Sequence, residues 1–310
     1  MKKHYSLQIQ SVLYHNEKEG LYQALDNLAN AVRVDREVEN ALSSVVVQYG
    51  DASKTPIFSD EELTAAREKY ADFFELCYTF FNKNTGTAKG HNQIGEHCDS
   101  EYMLIMNPDV LVNPHFFGQM LSPFEDESQL VGMTEARQTP IEHHKKYDPE
   151  TGETSWATTA AAIFPTALFR QVGGFDADTF FMYCDDLDFS WRLRLLGYKI
   201  IYVPQAVVFH AKWLDAKGGW IPTGAEKYYS AEAALLMACK WSNPEKLAEL
   251  LEIFTGMPEA PEGKAAQNFL QRQEDGRLPK PLDPEHRVAE FTQDGYGLSR
   301  FVVGEQGEKE

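Results

Sequence analysis

The sequence predicts an α/β fold: a mainly parallel sheet flanked by helices, followed by a helical C-terminal extension. Three observations carry that reading. Strand-like and helix-like segments alternate from residue 6 to residue 106. The strand-like runs end in polar punctuation, at Tyr14-His15-Asn16, Gly50-Asp51, Phe81-Asn82 and Asn107-Pro108-Asp109. From residue 225 the periodicity is helical. The expected division is therefore a sheet domain over 1–224 and an extension over 225–310 with a disordered tail.

Taken in order, residues 6–14 read as the first strand. Residues 19–32 read as an amphipathic helix, because Leu21, Leu25 and Leu28 share a face. The β-branched run 43–49, SSVVVQY, is a buried strand. Ser59 followed by Glu62 has the capping-box spacing for a helix over 60–74. A strand over 76–81, the loop NKNTG, a helix over 87–97 and a compact strand over 102–106 come next. Residues 129–160 read as strands flanking a turn-rich excursion, with HHKKYDPETGET as a loop or hairpin tip. A short helix over 165–172 stops at Gly173-Gly174, and a helix over 185–196 ends at Gly197. Two short strands, 199–203 and 206–209, are expected on either side of Pro204. Helix resumes over 225–254 with a break at Ser242-Asn243-Pro244, and again over 264–272. The closing GEQGEKE is read as disordered, and no internal repeat is visible.

A chain of 310 residues with 43% hydrophobic content can build a substantial core. Its formal charge of -18 repels phosphate backbones and argues against nucleic acid as a partner. Cys77, Cys98, Cys184 and Cys239 form no CxxC pair, which argues against a zinc site or disulfide scaffold and for a reducing compartment. The first apolar run is interrupted by Gln8, Gln10 and Ser11, making a poor signal peptide and a plausible first strand. No window approaches the roughly 18 apolar residues of a membrane span. The expectation is a soluble, cytoplasmic protein, with peripheral membrane contact left open.

In parallel sheets ligands sit beyond the carboxyl ends of the strands, so the four polar punctuations predict a nucleotide pocket at that rim. A strand ending in Asn107-Pro108-Asp109 projects a carboxylate there, with Pro108 fixing the exit. Mg2+ or Mn2+ prefers oxygen ligands and shares them with substrate phosphates. His210, closing another apolar run, is a ligand that Mn2+ tolerates beside carboxylates. Each also has an ordinary explanation: a turn for Asp109 and a satisfied core imidazole for His210.

Asp185, Asp186 and Asp188 open a helix, where its positive end favours them, and Asp185 with Asp188 suits a cap pair. Capping explains poorly why the apolar FFMYC runs straight into them. An apolar wall is a setting in which a carboxylate accepts a proton more readily. Asp186 is therefore the expected base, Asp185 its positioning neighbour, and Arg192 a structural partner. NTGTAKGHN lacks the GxxxxGK[ST] of a P-loop. Gly86 and Gly90 instead permit a tight turn before a helix, leaving Lys89 or Asn92 near the nucleotide; a solvated Lys89 is the plainer alternative. Asp51 with Ser53 can hydrogen-bond a pyrimidine or ribose, or simply make a strand-end turn. His143-His144 reads as loop, while Trp156, Trp213 and Trp220 line a sugar groove or pack elsewhere.

The ordered series YHN (14–16), GDAS (50–53), NTGTAKGHN (84–92), NPDV (107–110), GGFD (173–176), FFMYCDDLDFSWR (180–192) and His210 resembles family 2 glycosyltransferases, in their bacterial rhamnosyltransferase-like branch. The resemblance covers residues 6–245. It implies a GT-A fold, an inverting mechanism and a metal-bound nucleotide-sugar donor, dTDP- or UDP-linked. It also implies a glycan or glycolipid acceptor in a bacterial surface polymer. Asp109 matches the last carboxylate of the family's metal motif, with Asn107 where many members have an acid. Asp186 matches the base, with Asp185 replacing the usual glutamate. His210 matches the histidine that completes the metal site. Asp51 matches a base-contacting position, and Tyr14, Asn16, Ser53, Lys89, Asn92 and Asn107 join it as expected donor contacts. The alternatives are a nucleotidyltransferase, which should show a basic Gly-rich loop near the amino terminus, and a non-catalytic glycan-binding relative.

Overall fold

The computed structural model describes residues 3–142, 146–211 and 221–291. His143, His144, Trp213, Trp220 and the closing GEQGEKE lie outside the described residues. Among those described, nine strands form one sheet in the order β3-β2-β1-β4-β8-β6-β9-β5, with β7 paired to β9. They are β1 (Tyr5–Leu13), β2 (Leu42–Asp51), β3 (Glu75–Phe80), β4 (Tyr102–Met106), β5 (Val110–Val112), β6 (Val131–Thr139), β7 (Glu153–Thr154), β8 (Ala161–Pro165) and β9 (Lys199–His210).

Strands β1 to β4 pair in parallel, as the alternation with α1 (Lys18–Val34), α2 (Asp60–Tyr70) and α3 (Gly86–Gly95) requires. Beyond β4 the sheet is mixed: β8 runs antiparallel to β4 and β6, β9 is parallel to β6, and β5 is antiparallel to β9. The Ser59 capping box forms as expected, with its hydroxyl accepting from the Glu62 amide. The two short strands expected around Pro204 are one strand. Val203 pairs with Ala136 and Val207 with Arg137, so residues 204–206 bulge out of the ladder. A bulge is where a strand tolerates a residue that cannot donate a ladder hydrogen bond.

After α4 (Phe116–Leu121) and α5 (Thr166–Gln171), helix α6 (Asp185–Leu195) carries the acidic cluster. It is buried on nearly every side, so no amphipathic stripe marks it. Its outer face shares a core with α7 (Gly224–Lys240), α8 (Pro244–Thr255) and α9 (Pro261–Glu274). Leu187 and Trp191 meet Leu235, Trp241, Phe254 and Phe269 there. The C-terminal helices therefore do not bury a core of their own. They cover α6 and share its apolar contacts. No helix among the described residues is long and apolar enough to cross a membrane.

Candidate active site

The ends of β1, β4 and β9, the start of α3, the loop before α6 and the first turn of α7 surround a cavity of about 380 Å³. Of the residues expected from the sequence, Tyr14, Asn16, Asn107, Asp109, Asp185, Asp186 and His210 line it. Residues from four distant stretches of the chain, 14–16, 107–109, 185–186 and 210, thus share one space. The remaining four do not line it.

Asp109 and His210 meet because β5 is the antiparallel neighbour of the last residues of β9, pairing Val110 with His210. His210 Nε2 lies 3.5 Å from Asp109 Oδ1 and 3.2 Å from Asn107 Nδ2. Its Nδ1 lies 2.9 Å from Gln138 Oε1. Since that oxygen accepts, the contact assigns the ring proton to Nδ1 and directs Nε2 towards Asp109 and Asn107. The imidazole is buried, whereas the Asp109 side chain is 45% exposed and open to the cavity. Among the described residues, no group of three or more His, Cys, Asp or Glu side chains is arranged to hold a metal ion. An imidazole and a carboxylate this close, with Gln138 setting the tautomer, fit a divalent cation that draws its other ligands from a diphosphate and water.

The aspartates of α6 divide into two roles. Asp185 accepts from the Thr87 hydroxyl at 2.9 Å, and Asp186 Oδ1 accepts from the Leu187 amide at 2.8 Å. Both line the cavity at the positive end of α6. The backbone before them is left-handed at two successive non-glycine residues, Tyr183 (φ 67) and Cys184 (φ 58). Such conformations cost energy and persist only where the surroundings over-determine them. Here the Thr87 amide bonds the Phe181 carbonyl at 3.0 Å, tying the loop to the start of α3. The cap pair suggested for Asp185 with Asp188 is not made: the N-cap is Cys184, whose side chain makes no capping hydrogen bond. Asp188 is fully buried instead, held by Arg192 Nε (2.8 Å), Lys240 Nζ (2.6 Å) and Trp241 Nε1 (3.1 Å). Arg192 therefore pairs with Asp188, one helical turn away, and donates to the carbonyls of Val172 and Gly174.

Asp51 and Ser53 are buried and used by the chain itself. Asp51 accepts from the amides of Ser53 (2.9 Å) and Ile57 (2.8 Å) and from the Tyr78 hydroxyl. Ser53 accepts from the His15 amide at 2.9 Å. These bonds shape the loop after β2, the strand-end turn that was the alternative reading. Lys89 is exposed and does not line the cavity. Asn92 exchanges two 2.8 Å hydrogen bonds with the backbone of Phe175 and so anchors the Gly173-Gly174 turn. Trp156 packs against the core shared by α6 and α7, the second of the two readings open to it.

Sequence reasoning missed Thr87, His91, Gln138, Tyr183 and Glu226, all on the cavity wall. Thr87 and His91 are four apart on α3 and share a face, a spacing that could have found them. Burial pushes the His91 imidazole down to about 3, so it is neutral in the folded protein.

Known proteins resemble this chain in sequence and in fold. A family model described as glycosyl transferase family 2 matches residues 11–186. An N-acetylglucosaminyl-diphospho-decaprenol L-rhamnosyltransferase of Mycobacterium tuberculosis is 34% identical over 74 residues, 24% of this chain and 24% of that protein. A pre-mycofactocin glycosyltransferase of the same organism is 25% identical over 240 residues, 72% of this chain and 48% of that one. The chain thus matches about a quarter and about half the length of these two relatives. Among solved structures, the mannosyltransferase PcManGT from Pyrobaculum calidifontis, in complex with GDP-Man and Mn2+, superposes with a TM-score of 0.56 at 17% identity. That match covers 89% of this chain and 81% of the other. At such low identity the likeness speaks for the fold, which is GT-A.

Proposed function

The chain belongs to the family 2 glycosyltransferases, and on that premise we propose that it is an inverting glycosyltransferase. It moves a sugar from a nucleotide-diphosphate donor to a hydroxyl of a glycan or glycolipid in bacterial surface polysaccharide synthesis. The observation that carries this reading is the single cavity lined by Asp109, His210, Asp185 and Asp186. A rhamnose-like sugar is the first choice, supported by the similarity to a rhamnosyltransferase, with a galactofuranose-like sugar behind it. The donor would be dTDP- or UDP-linked.

Asp109 and His210 would hold Mg2+ or Mn2+, with Gln138 keeping the imidazole oriented and Asn107 beside it. A bound cation offsets charge on the diphosphate leaving group. The Mn2+ in the PcManGT structure supports a cation in this fold. Asp186 takes the proton from the acceptor hydroxyl. The oxygen's electron pair then forms the bond to the anomeric carbon as the bond from that carbon to the diphosphate oxygen breaks. The nucleoside diphosphate departs with that electron pair, and the anomeric centre inverts because attack and departure use opposite faces. Asp185, held by Thr87, fixes the start of α6 so that its neighbour faces the reacting hydroxyl. The sheet domain over 1–224 supplies this machinery, and Glu226, at the start of the 225–310 extension, adds to the cavity wall.

The test is donor turnover over a panel of dTDP-, UDP- and GDP-sugars, with and without Mn2+. Asp186→Asn is expected to lower transfer by about 10²–10⁴-fold with the circular dichroism spectrum unchanged. Full transfer by a folded Asp186→Asn variant would remove Asp186 as the base.

A further inference from the structure

Part of the cavity wall is not used by the donor chemistry just described. It includes Met182 and the left-handed Tyr183, in the loop before α6, and Glu226, in the first turn of α7. We infer that these three residues form the acceptor subsite, and that it takes an uncharged, polyhydroxylated sugar ring and disfavours one bearing a carboxylate. This inference rests on the glycosyl-transfer reading and adds to it which face binds the acceptor and what chemistry that acceptor has.

Four observations lead there. Tyr183 immediately precedes Cys184 and the two aspartates, so this wall is continuous with the base that must reach the acceptor hydroxyl. Tyr183 and Met182 give an aromatic and a polarisable apolar surface, which suits the C–H face of a sugar ring. The loop is braced from α7, where Tyr229 stacks on Phe181 with ring centroids 4.8 Å apart and planes at 27°. Glu226 is half-buried, and its Oε2 accepts from the Thr223 amide at 2.7 Å. A carboxylate has about four lone-pair sites, so capacity remains for sugar hydroxyls, which are donors.

Charge sets the selectivity. Asp109, Asp185, Asp186 and Glu226 all line the cavity, and among the described residues no Lys or Arg does. A donor diphosphate is matched by the cation proposed at Asp109 and His210. A carboxylate on the acceptor would instead face Glu226 at close range in a partly dehydrated space.

The experiment uses the full chain, its best donor from the panel, Mn2+, and octyl β-glycosides of glucose, galactose, mannose and N-acetylglucosamine, beside octyl glucuronide and octyl galacturonide. Glu226→Gln is the informative variant, because glutamine at this position keeps the capping box and hence the helix start. The expected result is transfer to a neutral glycoside with at least tenfold higher kcat/KM than to its uronide. Glu226→Gln should raise the acceptor KM at least fivefold while the donor dissociation constant stays within twofold. Glu226→Lys should narrow or reverse the neutral-over-uronide preference. A wild-type preference for uronides would overturn the inference, as would an unchanged acceptor KM in Glu226→Gln. Donor hydrolysis without transfer to any neutral glycoside would also count against it. Absence of donor turnover altogether would instead count against the glycosyl-transfer reading beneath it.

Discussion

Gly86 stands where the chain leaves no room for a β-carbon. Its φ is +69°, and a Cβ built there would lie 2.2 Å from the Phe181 carbonyl oxygen. The same carbonyl accepts from the Thr87 amide, and Thr87 in turn holds Asp185. Gly86→Ala is therefore expected to cost at least about 2 kcal/mol and to lower transfer, read by urea denaturation and by donor turnover. His91 offers a second test at this scale. Its folded value near 3 lies below the ordinary histidine value of 6.5, so the unfolded chain binds a proton that the folded chain does not. Stability is expected to fall as pH drops from about 6.5 towards 3, by up to about 1.4 kcal/mol per pH unit. His91→Gln should flatten that slope in denaturation measured between pH 7 and pH 5. At this scale, Asp109 and His210 were legible as residues that end apolar runs, and both line the cavity. Asp51 also ends a run, but it is buried and bonded within its own loop. Lys89 and Asn92, expected near the donor, do not line the cavity, because residue type does not say which side of a helix faces it. Five positions separate Thr87 from Asn92, about 140° around the axis, and Asn92 faces the Gly173-Gly174 turn.

Helix α6 is the element on which sheet, loop and C-terminal helices converge. Three aspartates open it, yet only two reach the cavity. The third, Asp188, sits in a buried network with Arg192, Lys240 and Trp241, and Lys240 also bonds Asp176 at 2.6 Å. Burial alone would raise the Asp176 carboxyl; the bonds from Lys240 and Thr179 outweigh it and hold it below the usual aspartate value. Removing one member leaves an unmatched buried charge, the costly way to break such a pair. Lys240→Met is expected to lose about 3–5 kcal/mol in urea denaturation. A loss below about 1 kcal/mol would show that the network does not anchor α7 to α6. The start and end of α6 were legible from the aspartates and Gly197. Its burial was not, because the partner helix lies some fifty residues further along and no local period announces it. The Pro204 bulge has the same origin: proline reads as a break, and only the register against β6 shows the strand continuing.

Across the whole molecule, the parallel half of the sheet follows from strand–helix alternation. The mixed half does not, since β5 and β8 join it without an intervening helical crossover of the usual kind. That mixed half is what brings the ends of β4 and β9 to the same cavity. A chain with formal charge -18 and a carboxylate-lined cleft would repel a diphosphate unless a cation sat between them. We accordingly propose the binding of a divalent ion by Asp109 and His210 together with the donor diphosphate. Its most direct test is the Mn2+ dissociation constant, from the free-Mn2+ electron paramagnetic resonance signal at saturating dTDP, UDP or GDP. Tighter Mn2+ binding is expected in the presence of one nucleotide, weakened at least tenfold in Asp109→Ala. An Mn2+ affinity that is the same with and without every nucleotide, or the same in Asp109→Ala, would contradict it.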